Sequence, residues 1–186
     1  GQGNVWSSMA VDPELDLVYL PTTSASSDFY GAARPGDNHY STSVVALKGA
    51  TGQVVWHQQL VHHNVWDYDL PARPMLIDYP HDGKMVPALV QNTKMGMIFV
   101  FDRATGAPLV PIVERPVPQS GTVGGEVLSP TQPFPVRPRP LHPGTLAAED
   151  AFGFTPWDRR ACRKQIEGAR SEGIFTPPST QGTIQY

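Results

Sequence analysis

The strongest constraint on this chain is a motif that it contains twice. Val44-Val45-Ala46-Leu47-Lys48-Gly49-Ala50-Thr51-Gly52-Gln53-Val54-Val55-Trp56 matches Ile98-Phe99-Val100-Phe101-Asp102-Arg103-Ala104-Thr105-Gly106-Ala107-Pro108-Leu109-Val110, at a constant offset of 54 residues. Each copy is an apolar, β-branched run, a short turn ending in Thr-Gly, and a second apolar run. That pattern specifies a β-hairpin, with the glycine supplying the positive φ that the turn needs. A hairpin alone is marginal in water, so a repeated one must bury its faces against neighbours. A period near 50 residues is what one four-stranded propeller blade occupies.

Flanking segments complete the scheme. Trp6–Val11 and Leu17–Leu20 surround the turn Asp12–Asp16, and Pro74–Asp78 and Val86–Val90 surround His81–Lys84. The expectation is an all-β chain with two blades, about 5–61 and 72–114, within a first region 1–114. A small β-sandwich with a chance Thr-Gly echo is the alternative. Residues 115–156 are Pro-rich, as in Arg137-Pro138-Arg139-Pro140, and offer few backbone donors for a sheet, so an extended excursion is expected there. The last region, 157–186, reads as a helix from Trp157 to Arg170, capped by Asp158 and stopped by Gly173, then re-entry toward another strand through Phe175-Thr176-Pro177-Pro178. The basic face of that helix reads as solvated.

Composition narrows the function classes. Fourteen basic against 17 acidic residues give a formal charge of −3, so nothing points to a nucleic-acid partner. The 20 prolines and 17 glycines imply many turns, but 40% of the chain is hydrophobic and the prolines form no low-complexity tract, which argues against wholesale disorder. Cys162 is the one cysteine and makes no internal disulfide. No apolar run reaches the length of a membrane span, and any anchor is expected outside this stretch.

The residues with chemical potential cluster in His62-His63-Asn64-Val65-Trp66-Asp67-Tyr68-Asp69, followed 27 residues after Asp67 by Lys94 in Asn92-Thr93-Lys94-Met95-Gly96. A carboxylate held near a fixed cation can act as a base or a metal ligand. Asp67 is the candidate base, and Asp69 is available as a turn cap. Trp6, just ahead of the first strand, offers a flat, rigid surface for a planar ligand, although a tryptophan there also suits blade packing. His62 and His63 do not read as a zinc site. Neighbouring residues of an extended strand point to opposite faces, and no companion ligand spacing accompanies them.

These segments, together with Phe99-Val100-Phe101-Asp102-Arg103, Glu114-Arg115-Pro116-Val117-Pro118-Gln119, Pro130–Phe134 and Glu172–Pro178, resemble the quinoprotein dehydrogenases that use pyrroloquinoline quinone (PQQ). The likeness covers essentially the whole chain and is strongest to the membrane-bound glucose/quinate/shikimate branch. It implies a piece of an eight-bladed quinoprotein β-propeller that holds PQQ on its axis. The parent would face the periplasm, at the inner membrane, and pass electrons to ubiquinone. Trp6 would then be the floor under the quinone and Asp67 the general base, also in or beside the shell of a Ca²⁺ or Mg²⁺ ion. Lys94 would hydrogen-bond the ortho-quinone oxygens, and one of the two histidines would lie near the active-site mouth.

One departure bears on the metal. The family pattern has an Asn ligand where this chain has Ser24, within Pro21-Thr22-Thr23-Ser24-Ala25-Ser26-Ser27-Asp28. A hydroxyl is a shorter and poorer ligand than an amide oxygen, so the expectation is a metal site on Asp67 and Ser24 that is weakened, shifted to Ser26 or Asp28, or lost. Two other readings stand beside the dehydrogenase. A scaffold propeller would keep the Thr-Gly repeat without needing Trp6, Asp67 and Lys94 in one frame, and a degenerate quinoprotein would fold without activity. Two blades of eight leave open edges and an incomplete shell, so residues 1–186 alone are expected to bind PQQ weakly.

Overall fold

The computed structural model describes residues 3–185. Four strands, β1 (Ala10–Asp12), β2 (Leu17–Pro21), β3 (Ser43–Lys48) and β4 (Val54–Gln59), form an antiparallel sheet in sequence order. The segment Trp6–Met9 stays outside it, so the first strand is shorter than its apolar pattern suggested. A second sheet follows with β5 (Met75–His81), β6 (Lys84–Asn92) and β7 (Ile98–Asp102), again in sequence order. These two sheets are the two blades.

The two copies of the hairpin turn are closed by the same pair of backbone bonds. Lys48 N–H donates to Gln53 O (2.8 Å) and Gly52 N–H to Lys48 O (2.7 Å); Asp102 N–H donates to Ala107 O (2.8 Å) and Gly106 N–H to Asp102 O (2.8 Å). The glycines hold φ of +72° and +73°. Beyond the turn the copies diverge. Val54 opens a full strand opposite Leu47, whereas Pro108, at the matching position, makes only an isolated bridge to Phe101. Pro108 lies between Asp102 N–H to Ala107 O and Leu109 N–H to Val100 O (2.9 Å), at a position whose N–H would point away from β7. The next ladder donor in that register would be Pro111, which has no N–H, so the fourth strand expected from Leu109-Val110 stops at the Leu109 bond.

The Pro-rich stretch differs from expectation in the other direction. β8 (Ile112–Pro116) and β9 (Thr131–Pro135) pair antiparallel as a separate two-stranded sheet. Each strand has a single partner, so residues that lack an N–H can face the open edge without breaking a ladder bond. The helix α1 runs Pro156–Gly168, and its cap is Thr155 rather than Asp158. Thr155 and Asp158 form a reciprocal capping box, with Pro156 at the first helical position. The chain leaves the helix at Ala169, ahead of Gly173, and no helix residue is buried.

The blades are joined through the edge of the first. Trp56, at the heart of β4, lies over the second turn so closely that a β-carbon on Gly106 would fall 2.6 Å from its ring. The indole N–H of Trp56 (3.2 Å) and the hydroxyl of Tyr19 (2.8 Å) both donate to Arg103 O. The Arg103 guanidinium returns to blade one as an ion pair with Asp12 at 2.8 Å. The main core continues from these residues through Leu60, Val61, Val65, Trp66 and Tyr68 to Met95, Met97, Phe99 and Phe175. The functional candidates stand on the loops at one margin of this core.

Candidate active site

The loop between β4 and β5 has two chemically opposite sides. Trp66 and Tyr68 are fully buried, and their polar ends are satisfied by the C-terminal segment: Trp66 Nε1–H donates to Thr176 O (2.8 Å) and Tyr68 OH to Ile174 O (2.6 Å). Their rings lie nearly parallel, and Phe175 meets both edge-on. The buried Asn64 side chain accepts from Trp66 N–H (3.0 Å) and Tyr68 N–H (3.3 Å) and donates to Thr42 Oγ1 (2.8 Å), which fixes the backbone between them. Asp67, held at φ +55°, and Asp69 point away from these rings.

Both carboxylates converge on one ammonium. Lys94 Nζ donates to Asp67 O (2.9 Å), Asp67 Oδ2 (3.1 Å) and Asp69 Oδ2 (3.2 Å), three acceptors for its three protons. Lys94 stands on the turn between β6 and β7, closed by Gly96 N–H to Thr93 O (3.1 Å), and the buried Met95 and Met97 root that turn in the core. Burial is the largest single influence on the Lys94 ammonium and lowers its pKa. The hydrogen bonds and charges of Asp67 and Asp69 together outweigh it, and the net direction is up.

Sequence reasoning took Asp69 for a turn cap. In the structure it is the hub of the site. Its Oδ1 accepts from Ser24 N–H at 2.7 Å, and its Oδ2 accepts from both Lys94 and the indole N–H of Trp6 at 3.3 Å. One carboxylate thus ties three separate segments together. The signal that could have exposed it is the alternation Trp66-Asp67-Tyr68-Asp69, which pairs the two carboxylates as it pairs the two rings.

Trp6 is 59% exposed, with its face open to solvent and its edge fixed by Asp69. The segment around it is pinned by Ser7 Oγ–H to Pro71 O (2.7 Å) and by Thr23 N–H to Asn4 O (2.8 Å). Ser24 is buried and its hydroxyl has no hydrogen-bond partner. Asp67 Oδ1 likewise accepts nothing, and that side chain is 37% exposed. Ser26 and Asp28 are exposed. The structure therefore brings Trp6, Asp67 and Lys94 together through Asp69 and places Ser24 on the same hub.

His62 and His63 lie in a turn, not in a strand as the sequence suggested, with His63 at φ +44°. They engage different partners. His62 contacts Gln59 and Glu114, while the buried His63 is held between Gly36 O (2.7 Å) and Glu126 Oε1 (2.8 Å). Among the described residues no group of three or more His, Cys, Asp or Glu side chains could hold a metal ion.

The profile of the family described as glucose/ethanol/alcohol dehydrogenase, beta-propeller domain, matches residues 1–186. The chain belongs to this PQQ propeller family. It is 44% identical over 185 residues to the quinoprotein glucose dehydrogenase of Escherichia coli (strain K12), covering 98% of this chain and 23% of that protein. To the quinate/shikimate dehydrogenase (quinone) of Acinetobacter baylyi it is 39% identical over 185 residues, with 98% and 23% covered. A solved quinohemoprotein alcohol dehydrogenase from Pseudomonas putida HK5 superposes with a TM-score of 0.56 at 39% identity, over 67% of this chain and 18% of that one. The chain spans about a quarter of the length of the curated relatives it matches.

The residues gathered around Asp69 suit the family's cofactor. An exposed indole face beside a fixed ammonium fits a flat, electron-poor quinone with carbonyl oxygens at its edge. For a hard cation the donor chemistry is right but the number is not. The orphaned Ser24 hydroxyl and the free Asp67 oxygen would be two oxygen ligands at most, where calcium takes six to eight, so these residues alone do not fit a complete metal shell.

Proposed function

We propose that this chain supplies the floor, the base and the fixed cation of the PQQ site in a dehydrogenase that oxidises a hydroxyl of a sugar or cyclic polyol. The observation that carries the reading is the Lys94 ammonium clamped between Asp67 and Asp69, with the Trp6 indole fixed to the same carboxylate. Bound PQQ would supply the two-electron oxidant that takes the hydride of the carbinol carbon. Asp67 takes the hydroxyl proton on Oδ1, the oxygen that Lys94 leaves free. Lys94 would face the quinone oxygens and oppose by its charge the negative charge that builds there, while its protons stay with Asp67 and Asp69. Asp69 does no proton chemistry in this scheme: it sets Lys94 and Trp6 at a fixed separation. Asp67 and Ser24 would contribute to a Ca²⁺ or Mg²⁺ shell completed elsewhere in the propeller, the ion acting as a Lewis acid on the quinone.

Relatives named for glucose, for quinate or shikimate and for glycerol support a polyol as substrate. Ubiquinone as electron acceptor, a membrane anchor outside these residues and the periplasmic face complete the reading by analogy with that branch. Among the described residues no helix is long and apolar enough to cross a membrane. The test is PQQ-dependent dye reduction by the full-length protein with Ca²⁺ or Mg²⁺, glucose and quinate in parallel, and Asp67→Asn beside the wild type. Activity that needs PQQ and disappears in the variant supports the reading. Tight PQQ binding with full turnover in Asp67→Asn removes Asp67 from it.

A further inference from the structure

Lys94 is placed by its turn, and that turn is gripped from behind. The grip comes from the Pro-rich excursion, which no part of the proposed chemistry uses. Leu141 N–H donates to Gly96 O at 2.8 Å, and the next residue, His142, bonds Met95 O through Nε2. The two carbonyls directly after Lys94 are thus both held by residues 141–142. Gly144 N–H donates to His142 Nδ1 at 2.9 Å, so that nitrogen carries no proton and Nε2 is the donor toward Met95 O. The ring also closes against Gly96, where a β-carbon would fall 2.6 Å from His142 Cδ2. Gly96 is held at φ +65°. The turn that carries Lys94 is thus braced from behind by two hydrogen bonds and by the ring against Gly96.

We propose that His142 is a positioning residue for Lys94, which sets the distance between the ammonium and the cofactor by fixing the 94–96 turn through Met95 O. The inference rests on the reading of Lys94 as a cofactor contact. Its cause is steric and geometric: an ammonium on a four-carbon stem is selective for a quinone oxygen only where its backbone is fixed, and small misplacements of a reacting group are costly.

The experiment compares His142→Ala, His142→Gln, Gly96→Ala and Lys94→Ala in the full-length protein. It reads kcat, KM, the PQQ dissociation constant from tryptophan quenching, and the thermal midpoint. His142→Ala is expected to lower kcat on the order of tenfold to a hundredfold and to weaken PQQ, with the substrate KM unchanged. His142→Gln, which keeps a side-chain N–H donor, is expected to recover most of both. Unchanged kcat and PQQ affinity in His142→Ala, beside a crippled Lys94→Ala, overturn the inference and leave the site reading intact. So does a glutamine variant no better than alanine. If Lys94→Ala itself keeps its kcat and PQQ affinity, the site reading falls, and the inference with it. Should His142→Ala not fold, Gly96→Ala crowds the same ring from the opposite side, and an unchanged kcat there overturns the proposal.

Discussion

The four residues Trp66 to Asp69 have a ring side and a carboxylate side, and the two sides are held in opposite ways. Trp66 and Tyr68 are sealed in the core, each with one backbone acceptor on the segment around Phe175. Asp67, partly exposed, and Asp69, buried at the margin, meet an ammonium and an indole edge. One side anchors and the other presents. The difference explains how an exposed carboxylate on a loop can keep a defined position: its neighbours on either side are bolted to a distant part of the chain. Stability should therefore reside in the rings and chemistry in the carboxylates, and substitutions can separate the two.

The largest expected effect is on the chemistry. Asp67→Asn should cut PQQ-dependent turnover by about 10²–10⁴-fold, the range for loss of a positioned base, and shift stability by no more than about 0.5 kcal/mol. Steady-state kinetics and a urea melt of the same preparation would check both halves. A large loss of stability in this variant would break the division. On the ring side, Phe175→Ala should cost about 3–5 kcal/mol, because a fully buried aromatic that meets Trp66, Tyr68 and Phe134 leaves a cavity. Turnover per folded molecule should fall far less than in Asp67→Asn. Tyr68→Phe is a finer probe. It keeps the ring and strips Ile174 O of the hydroxyl donor at 2.6 Å, with an expected cost of about 1–3 kcal/mol in the melt and little change in KM.

The same contrast shows what could be read from the sequence. The repeated hairpin was legible because its signal is local: a β-branched run, Thr-Gly and a second run produce the same turn bonds in both copies. The end of the fourth strand of blade two is less local: Pro108 turns its nitrogen away from β7 and breaks nothing, whereas Pro111, one hydrogen-bonded position further along, has no N–H to give. The pairing of β8 with β9 is hidden in the sequence because a proline count does not say which edge each proline faces: Pro116, Pro133 and Pro135 all sit at positions whose N–H would point away from the partner strand. In the site, Asp67, Lys94 and Trp6 stood out by resemblance, whereas Asp69 did not: a carboxylate near a turn reads as a cap until its partners are known. Those partners, Ser24 and Trp6, lie 45 and 63 residues away. The brace at His142 has no periodic or motif signal at all, since it depends on where an irregular segment happens to return.

The smallest expected effect tests whether the carboxylate side contributes any stability of its own. Lys94 has its pKa raised above the ordinary 10.5, since the two aspartates outweigh the lowering by burial. A cationic group with a raised folded pKa stabilises fully below its unfolded pKa and loses that contribution as pH climbs through the folded one. Wild type should therefore exceed Lys94→Met by about 0.5–1 kcal/mol at neutral pH, the scale of a partly exposed pair, and the gap should close above pH 10.5. Tyr19 titrates in the same direction: burial first, then the Asp12 carboxylate, push its hydroxyl from 10.0 to about 12. The unfolded chain then ionises first, and stability falls between those values in both proteins. That loss is common to wild type and variant, so it cancels in their difference, and urea melts at pH 8, 10 and 11.5 isolate the Lys94 part. A gap that stays constant across the series would mean that the lysine stabilises through its stem and not its charge, and no gap at any pH would mean that the rings carry the loop unaided.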